Sequence, residues 1–253
     1  MTAPPPLTNI YPSLAGRSVF ITGGATGIGA ELVAAFAAQN CKVSFADRQA
    51  EAGHALASAT GALFFDCDLR DISALNEAIA KAGEAQGTIS ILINNAADDT
   101  RHDFSSITPA EWDDRIAVNL RHVFFAIQAV HPQMLQAGGG SIINFGSMSW
   151  YECQGGMTGY TTSKAAIEGL TRGLARDLGT DNIRINTLVP GWVMTSKQRA
   201  LWVGEEVKRE IERGQSLKEE LLPQDICAMA LFLASDDARM CTAQAFIVDG
   251  GWI

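Results

Sequence analysis

The sequence predicts an α/β fold in which one parallel sheet of about seven strands carries helices on both faces. The first observation is that short apolar segments, typical of buried strands, alternate with longer segments of helical periodicity. Strands are predicted at residues 19–22, 42–46, 62–66, 89–93, 141–145, 183–189 and 245–248. Helices are predicted at residues 28–39, 49–59, 71–86, 109–136, 158–179 and 223–234. Such alternation indicates right-handed crossovers and a doubly wound sheet.

The second observation is a glycine-rich turn between the first strand and the first helix. This turn contains Gly23, Thr26, Gly27, Ile28 and Gly29. Glycines allow the backbone to turn tightly and to approach a phosphate, and the helix that follows offers free N–H groups and the positive end of its dipole. Strand, turn and helix together are the Rossmann-type arrangement that binds a dinucleotide pyrophosphate. The alternative is a turn that binds no ligand.

An acidic residue follows the second strand. Asp47 lies about 20 residues beyond the glycine turn, where a carboxylate can bind both hydroxyls of the adenosine ribose. Because this carboxylate would repel a 2′-phosphate, the sequence favours NAD over NADP. Two alternatives stay open: Arg48 could bind a 2′-phosphate, and Asp47 could cap the next helix. Both residues are predicted to contact the coenzyme.

The length of 253 residues suits a single domain, predicted here as residues 13–253. Residues 1–12 contain three consecutive prolines and are predicted to form a flexible tail. Residues 191–222 break the alternation, and they follow the carboxyl end of a strand. They are therefore predicted to form a lid over the substrate, with an ordinary pair of surface helices as the alternative.

The charge and the cysteine content exclude several classes of protein. A net charge of −9 argues against nucleic acid or an anionic membrane as a partner, because both require clustered cations. The five cysteines are scattered, and neither they nor the four histidines have the spacing of metal ligands. We therefore expect no metal site, no disulfide framework and a reducing cytoplasm. We also expect neither a signal peptide nor a membrane span.

A tyrosine and a lysine form the candidate catalytic pair. Tyr160 and Lys164 are one helical turn apart, and Ser147 lies just after a predicted strand. A neighbouring cation favours a phenolate, so we expect Lys164 to lower the pKa of Tyr160. Such a phenol can take the proton of an alcohol while a hydride leaves for a coenzyme. A solvated helix face is the alternative for a Tyr/Lys pair taken alone.

These motifs, in this order, resemble the short-chain dehydrogenase/reductase family over residues 15–253. The resemblance is carried by Thr22, Gly23, Gly27, Ile28 and Gly29 of the turn, by Asp68, Asn94, Asn95, Ala96, Ala97 and Asn119, and by Ser147, Tyr160, Lys164, Pro190 and Gly191. One departure is Ala97, where the family usually has glycine. The extra methyl group predicts a fuller turn without loss of activity.

The resemblance implies a role for each matching residue. Tyr160 is the general base in oxidation, Ser147 binds the substrate oxygen, Lys164 holds the nicotinamide ribose, and Asn119 holds a water linked to Lys164. The remaining implied coenzyme contacts are Asp68 and Leu69 near the adenine, Asn94, Asn95 and Ala96 in the turn after the fourth strand, and Pro190, Gly191, Val193 and Thr195 after the sixth.

The residues expected around the substrate are polar. Candidates are found in residues 98–102, in the segment before Tyr160 and after the sixth strand, namely Asp99, His102, Ser149, Trp150, Gln154 and Trp192, with Arg101 and Glu152 beside them. Carboxylates and amides bind hydroxyls, and an indole face packs against C–H groups. A small polyhydroxylated substrate is therefore favoured. On composition alone, residues 98–102 could equally be a solvated loop.

A narrower resemblance supports a sugar substrate. The stretches 98–102, 112–122 and 142–150 are similar to bacterial aldose 1-dehydrogenases of the D-xylose and D-galactose type. The resemblance implies that the anomeric hydroxyl is oxidised to an aldonolactone without a metal. It also implies a homo-oligomer, commonly a tetramer, formed through the long helices after strands four and five and the segment at residues 249–251.

Three other functions remain possible on the same sequence. A polyol or secondary-alcohol dehydrogenase would share the scaffold and the polar pocket. A 3-oxoacyl-thioester reductase would prefer NADPH and need a basic patch, neither of which is clear here. A non-catalytic NAD-binding scaffold would bind the coenzyme without turnover.

Overall fold

The computed structural model describes residues 9–253, and in it seven parallel strands form one sheet. The strands are β1 (Ser18–Thr22), β2 (Lys42–Asp47), β3 (Leu63–Asp66), β4 (Ile89–Asn94), β5 (Gly140–Phe145), β6 (Ile183–Pro190) and β7 (Ala245–Val248). Their order across the sheet is β3-β2-β1-β4-β5-β6-β7, and every neighbouring pair is parallel. The predicted fold class is confirmed.

Helices cover both faces of this sheet. They are α1 (Gly27–Ala38), α2 (Ala50–Thr60), α3 (Ile72–Gln86), α4 (Pro109–Ile116), α5 (His122–Gln136), α6 (Thr158–Leu178), α7 (Ser196–Leu201), α8 (Glu205–Gly214) and α9 (Pro223–Ala234). β1 shows how one strand serves two cores: Val19 and Ile21 pack with α1 and α9, whereas Phe20 packs with α3 and α5. Burial on both faces explains why this strand is a continuous apolar run.

The helix predicted at residues 109–136 is interrupted. α4 ends at Ile116 and α5 begins at His122, and the residues between them form a π-helical turn, Ala117–Arg121. A π turn holds one residue more than an α turn, so it rotates the following side chains relative to the helix before it. Asn119 lies in this turn, and its side chain is fully buried.

The segment predicted as a lid contains α7 and α8 and follows the carboxyl end of β6. At the other end of the chain, residues 1–8 of the predicted tail lie outside the described residues. In the rest of the tail, Tyr11 N donates to Gln39 Oε1 at 2.8 Å, and Gln39 Nε2 donates to the carbonyl oxygen of Asn9 at 2.9 Å. The flexibility of the tail stays a prediction.

The strand order determines where the ligand crevice lies. The connections run outward in opposite directions from β1 and β4, so a crevice forms where their carboxyl ends diverge. Every candidate site residue lies at the carboxyl end of a strand or in a loop or helix that follows one. Over residues 9–253, no helix is both long and apolar enough to cross a membrane.

Candidate active site

A cleft of about 870 Å³ opens at the carboxyl edge of the sheet; we call it the carboxyl-edge cleft. It collects residues from the loops after six of the seven strands. All but one of the residues in the predicted coenzyme set line it: Gly23, Thr26, Gly27, Ile28, Gly29, Asp47, Arg48, Asp68, Leu69, Asn95, Ala96, Tyr160, Lys164, Pro190, Gly191, Val193 and Thr195. Asn94 lies below the cleft, where its Nδ2 donates to Asn144 Oδ1 at 2.9 Å.

The glycine turn leaves no room for side chains at its narrowest point. A Cβ on Gly29 would lie 1.8 Å from the carbonyl oxygen of Gly23, and one on Gly23 would lie 2.6 Å from Ala96 Cα. Gly23 also has a φ of 69°, a conformation that favours glycine. The backbone at the start of α1 is therefore open to a phosphate group, and these residues fit a dinucleotide pyrophosphate.

The turn after β4 supports the glycine turn. Asn95 Nδ2 donates to the carbonyl oxygen of Gly23 at 2.8 Å, and the backbone N–H groups of Asn95 and Ala96 donate to Thr22 Oγ1 at 3.2 and 3.3 Å. The side chain of Asn95 is thus engaged with protein backbone. It holds the two loops together at the centre of the crevice.

Two carboxylates occupy the part of the cleft expected to hold adenosine. The buried Asp47 accepts hydrogen bonds from the backbone N–H groups of Ala25 and Gln49, both at 3.0 Å. Asp68 accepts from Arg70 through both oxygens, and these hydrogen bonds lower the pKa of Asp68. Each carboxylate is thereby fixed in one orientation, and each keeps lone pairs for a ligand.

Ser147, Tyr160 and Lys164 converge in the cleft beside the end of β5. Lys164 Nζ lies 5.4 Å from the centroid of the Tyr160 ring and donates to the carbonyl oxygen of Phe145 at 2.7 Å. Ser147 Oγ accepts from the backbone N–H of Ser149 at 3.2 Å, and its own proton can be donated to the Tyr160 oxygen or to a substrate oxygen. The serine hydroxyl, phenol and amine can thus bind and deprotonate one alcohol.

The prediction that the pKa of Tyr160 is lowered is wrong for the protein without ligands. The pKa of Tyr160 is raised to about 12, mainly by burial and also by the charge of Asp99, although a hydrogen bond with Ser147 and the charge of Arg101 oppose the change. The physical reason is that desolvation penalises the phenolate. Burial also lowers the pKa of Lys164 to about 7, so its amine carries only part of a charge at neutral pH.

Asn119 does not line the cleft. Its Oδ1 accepts from the backbone N–H of Asp98 at 2.8 Å, and its Nδ2 donates to the carbonyl oxygens of Asp98 and Arg115 at 3.1 and 3.0 Å. The side chain ties the loop after β4 to the π turn. One turn further, His122 is fully buried, and burial followed by the charge of Lys164 lowers its pKa to about 3.

The segment predicted as a lid contacts the loop after β4 through Asp99. Lys197 Nζ lies 2.5 Å from Asp99 Oδ1, and Gln198 Nε2 donates to Asp99 Oδ2 at 2.8 Å. Beside them the guanidinium of Arg101 lies 5.1 Å from the centroid of the Trp202 ring, and it also contacts the sulfur of Met157. These contacts therefore join α7 to the loop after β4 across the mouth of the cleft.

Most of the predicted substrate contacts line the cleft, and two do not. Those that do are Asp99, Ser147, Ser149, Gln154, Tyr160 and Trp192. His102 lies outside because its backbone N–H donates to the carbonyl oxygen of Gly156 at 2.7 Å, which turns the residue towards α6. Trp150 lies outside because its ring packs on Tyr151, with the ring centroids 3.8 Å apart.

Further polar residues line the cleft. Arg101 and Glu152 were among the polar candidates of the sequence, whereas Lys197 and Gln198, in the segment predicted as a lid, had no predicted contact. Burial raises the pKa of Glu152, Glu210 raises it further, and Arg101 opposes the shift. Polar composition indicated Arg101 and Glu152, and the predicted lid segment contains Lys197 and Gln198, but no pattern in the sequence singled out these two side chains. Within residues 9–253, no group of three or more His, Cys, Asp or Glu side chains is placed to hold a metal ion.

Comparisons with known proteins agree with this geometry. A family model described as enoyl-(acyl carrier protein) reductase matches residues 23–253. The chain is 45% identical to a D-xylose 1-dehydrogenase of Caulobacter vibrioides, over 96% of this chain and 98% of that one. It is 44% identical to the "Probable galactose dehydrogenase GalD" of Rhizobium meliloti, over 95% and 96% of the two chains.

A solved structure shares the fold. The complex of 7α-hydroxysteroid dehydrogenase with NADH and 7-oxo-glycochenodeoxycholic acid superposes with a TM-score of 0.91, at 30% identity over 96% of each chain. The carboxyl-edge cleft therefore belongs to a scaffold that holds a nicotinamide coenzyme in that relative.

Proposed function

Because the chain belongs to the short-chain dehydrogenase/reductase family, we propose that it oxidises the anomeric hydroxyl of an aldose to the aldonolactone. The observation that carries the proposal is the convergence of Ser147, Tyr160 and Lys164 beside a polar pocket. The names of the two sugar dehydrogenases at 44–45% identity support the same reaction.

The coenzyme is a nicotinamide dinucleotide, and we propose that it is NAD. The glycine turn would hold the pyrophosphate, and Pro190, Gly191, Val193 and Thr195 would hold the nicotinamide half. Asp47 is buried and held by two backbone N–H groups, so it cannot swing away from a 2′-phosphate. Arg48 is exposed beside it, and this one cation does not remove the repulsion from Asp47.

In the proposed reaction, Ser147 donates a hydrogen bond to the anomeric oxygen, and Tyr160 takes the proton of the anomeric hydroxyl as a phenolate, the form that the positive charge of a bound nicotinamide would favour against the effect of burial. A nicotinamide held by Pro190, Gly191, Val193 and Thr195 would supply the hydride acceptor for C1, so that the C1–O bond could become the carbonyl of the lactone. Lys164, anchored on Phe145, would hold the coenzyme ribose and the face of the Tyr160 ring. Asn119 would act through the loop and the helix that it joins, because its side chain is engaged with backbone.

The substrate pocket supports a pyranose. Glu152, Gln154 and Ser149 present acceptors and donors, and Trp192 presents an indole face. A carboxylate can accept from two neighbouring hydroxyls, while a flat aromatic surface packs against the C–H groups of a sugar ring. A steroid or an acyl chain would meet several polar groups without partners.

The second candidate is oxidation of a polyol or another secondary alcohol, because the same polar groups suit a linear polyhydroxylated substrate. A 3-oxoacyl reductase is less well supported, since the pocket is polar. The two leading candidates differ in product: an aldose gives a lactone, which hydrolyses to an acid, whereas a polyol gives a ketose or an aldose.

The experiment is a panel of aldoses and matched polyols with NAD and with NADP. NADH formation and lactone, trapped with hydroxylamine, would be measured together. We expect turnover on pentoses or hexoses with one lactone formed per NADH. Turnover on polyols alone would show that the substrate is a polyol and not an aldose. Coenzyme binding without turnover on any alcohol would indicate a non-catalytic scaffold that binds the coenzyme.

We also propose that the protein is a cytoplasmic homo-oligomer, in line with the tetramer that the family resemblance implies. The five free cysteines support a reducing compartment. Large apolar side chains are exposed on α5 at Phe124 and Leu135, and on the edge strand β7 at Ile247. Light scattering on the purified protein tests the assembly, and a monomer at micromolar concentration would contradict it.

A further inference from the structure

We propose that a second cleft, at the edge of the sheet opposite the coenzyme, binds the phosphate group of a small molecule. This amino-edge cleft has a volume of about 570 Å³, and it is lined by Ser13, Arg17, Lys42, Ser90, Arg184 and Arg239 among others. Lys42 is the first residue of β2, and Arg184 is the second residue of β6. The cleft therefore lies at the amino ends of the strands, a full strand length from Tyr160 and the glycine turn.

The charge of the amino-edge cleft is opposite to that of the whole chain. Four cations line it, Arg17, Lys42, Arg184 and Arg239, and its one carboxylate is Asp236. The local charge is thus four minus one, or +3, on a chain whose net charge is −9. Asp236 neutralises little of it, because its side chain is 79% exposed and lies 3.9 Å from Arg17 Nη1.

Two of the cations are held rigidly in place. Arg17 Nε donates to Ser90 Oγ at 3.1 Å, its Nη2 donates to the carbonyl oxygen of Ser90 at 3.0 Å, and its Nη1 donates to that of Ala234 at 3.0 Å. Arg184 Nη2 donates to the carbonyl oxygen of Ser235 at 3.1 Å. A guanidinium has five N–H groups, so each arginine keeps donors for a ligand.

These hydrogen bonds orient the guanidinium groups without neutralising them. Burial lowers the pKa of Arg17, and burial followed by the charge of Arg17 lowers that of Arg184. The two cations therefore repel each other across the cleft, and a bound dianion would relieve the repulsion. Lys42 and Arg239 are exposed at the cleft and form no ion pair with any residue from 9 to 253.

A phosphate group fits this arrangement better than a carboxylate. It carries up to two charges and three terminal oxygens, and a planar guanidinium binds two of those oxygens at once. The hydroxyls of Ser13 and Ser90 line the same cleft and can add neutral hydrogen bonds. The volume leaves room for a small organic group beyond the phosphate, so a phosphate ester and free phosphate share the recognition chemistry.

The test is calorimetric titration of the full-length protein with inorganic phosphate and, separately, with glycerol 3-phosphate. Ionic strength is kept constant, and NAD is present at saturation so that the glycine turn is filled. We expect saturable binding of one phosphate group per chain. Tighter binding of glycerol 3-phosphate would identify an ester as the ligand, and equal affinity would identify free phosphate.

Charge-reversal variants locate the binding. Lys42→Glu with Arg239→Glu should weaken binding by about tenfold or more, because two attractive charges become repulsive. Lys81→Glu with Lys208→Glu is the matched control, since it makes the same charge change at exposed lysines outside the cleft. Equal weakening in both variants would overturn the proposal, as would the absence of saturable binding to the wild type. Circular dichroism confirms that each variant is folded, and the milder Arg239→Gln repeats the comparison.

Discussion

Lys164 Nζ donates a 2.7 Å hydrogen bond to the carbonyl oxygen of Phe145, the last residue of β5. This bond fixes a fully buried amine between the sheet and the Tyr160 ring. The carbonyl is a neutral partner, so it orients the amine without supplying the charge that would keep it protonated. Burial therefore decides the protonation of both Lys164 and Tyr160. The first two predictions concern these two residues.

Tyr160→Phe should lower kcat by about a thousandfold or more, because the general base is removed while the aromatic ring remains. Affinity for NAD should stay within a few-fold, and this is measured by fluorescence titration beside steady-state kinetics. Tyr151→Phe is the matched control, since the Tyr151 hydroxyl donates to Glu168 Oε1 at 2.8 Å and does not line the cleft. Turnover close to that of the wild type in Tyr160→Phe would remove Tyr160 as the base.

Lys164 should make stability depend on pH. Its pKa in the folded protein is about 7, below the ordinary value of 10.5 in the unfolded chain. Between these values the unfolded chain binds a proton that the folded protein does not, so the free energy of unfolding rises with pH. Below about pH 7 both states are protonated, and the contribution is constant.

The measurement is urea unfolding of the wild type and of Lys164→Met, without coenzyme, from pH 7 to 9.5. The stability of the wild type relative to the variant should increase across this range by an amount on the order of a few kcal/mol. Both proteins keep Tyr160, whose raised pKa affects stability only above its ordinary value of 10. Identical pH profiles for the two proteins would show that the pKa of Lys164 is not lowered.

Asp47→Asn should change the preference between the coenzymes. The variant removes the negative charge and keeps one acceptor for the backbone of Ala25 or Gln49. NAD should bind about tenfold more weakly, because a charge-assisted hydrogen bond is lost, and the discrimination against NADP should decrease. Asp66→Asn is the control, since Asp66 ends β3 and does not line the cleft. The kcat/KM ratio for the two coenzymes measures the effect, and an unchanged ratio would exclude Asp47 from coenzyme selection.

The sequence was sufficient to predict the sheet and the edge of it at which the candidate coenzyme residues meet. Buried strands and the glycine turn are local patterns, and parallel strands bring their carboxyl ends to one edge of the sheet, so Asp47, Asn95 and Tyr160 had to lie near one another. The narrow contacts around Gly29 depend on the same local geometry. Each strand and turn is predicted from a local pattern, and the parallel arrangement of the strands then brings their loops together.

The predicted substrate end of the cleft depends on contacts between residues that are distant in sequence. Asp99 meets Lys197, and His102 is turned away by Gly156. The π turn at Ala117–Arg121 also escaped prediction, because one additional residue hardly alters a helical hydrophobic pattern. The pKa of Tyr160 depends on how completely the phenol is desolvated, and spacing along the chain does not determine that quantity.

Lys197→Met should loosen the lid. It removes the ion pair with Asp99, and the exposed position of Lys197 limits the effect to about 1 kcal/mol or less. KM for the sugar should therefore rise by about two- to fivefold, with a smaller change in kcat. Lys208→Met is the control, because it breaks a pair with Glu205 within α8 that does not reach the loop after β4. Equal KM values in the two variants would exclude Lys197 as a contact that closes the lid.

Glu152→Gln should weaken sugar binding without affecting the coenzyme. Glu152 lines the cleft beside Arg101, and in the proposed function its carboxylate accepts hydrogen bonds from hydroxyls remote from C1. Replacing a charged acceptor with a neutral amide should raise KM by about tenfold at pH 8, while NAD affinity stays unchanged. Glu206→Gln is the control, since it removes the same charge from an exposed position on α8.

The dependence of KM on pH tests the same carboxylate in a second way. Burial raises the pKa of Glu152 and the charge of Glu210 raises it further, so the carboxylate is lost at a higher pH than for an ordinary glutamate. As pH falls through that raised pKa, KM for the sugar should increase in the wild type, whereas in Glu152→Gln it should stay level. Glu210→Gln should move the increase to lower pH, because it removes one of the two causes of the shift. A pH dependence of KM that is the same in all three proteins would place the sugar hydroxyls away from Glu152.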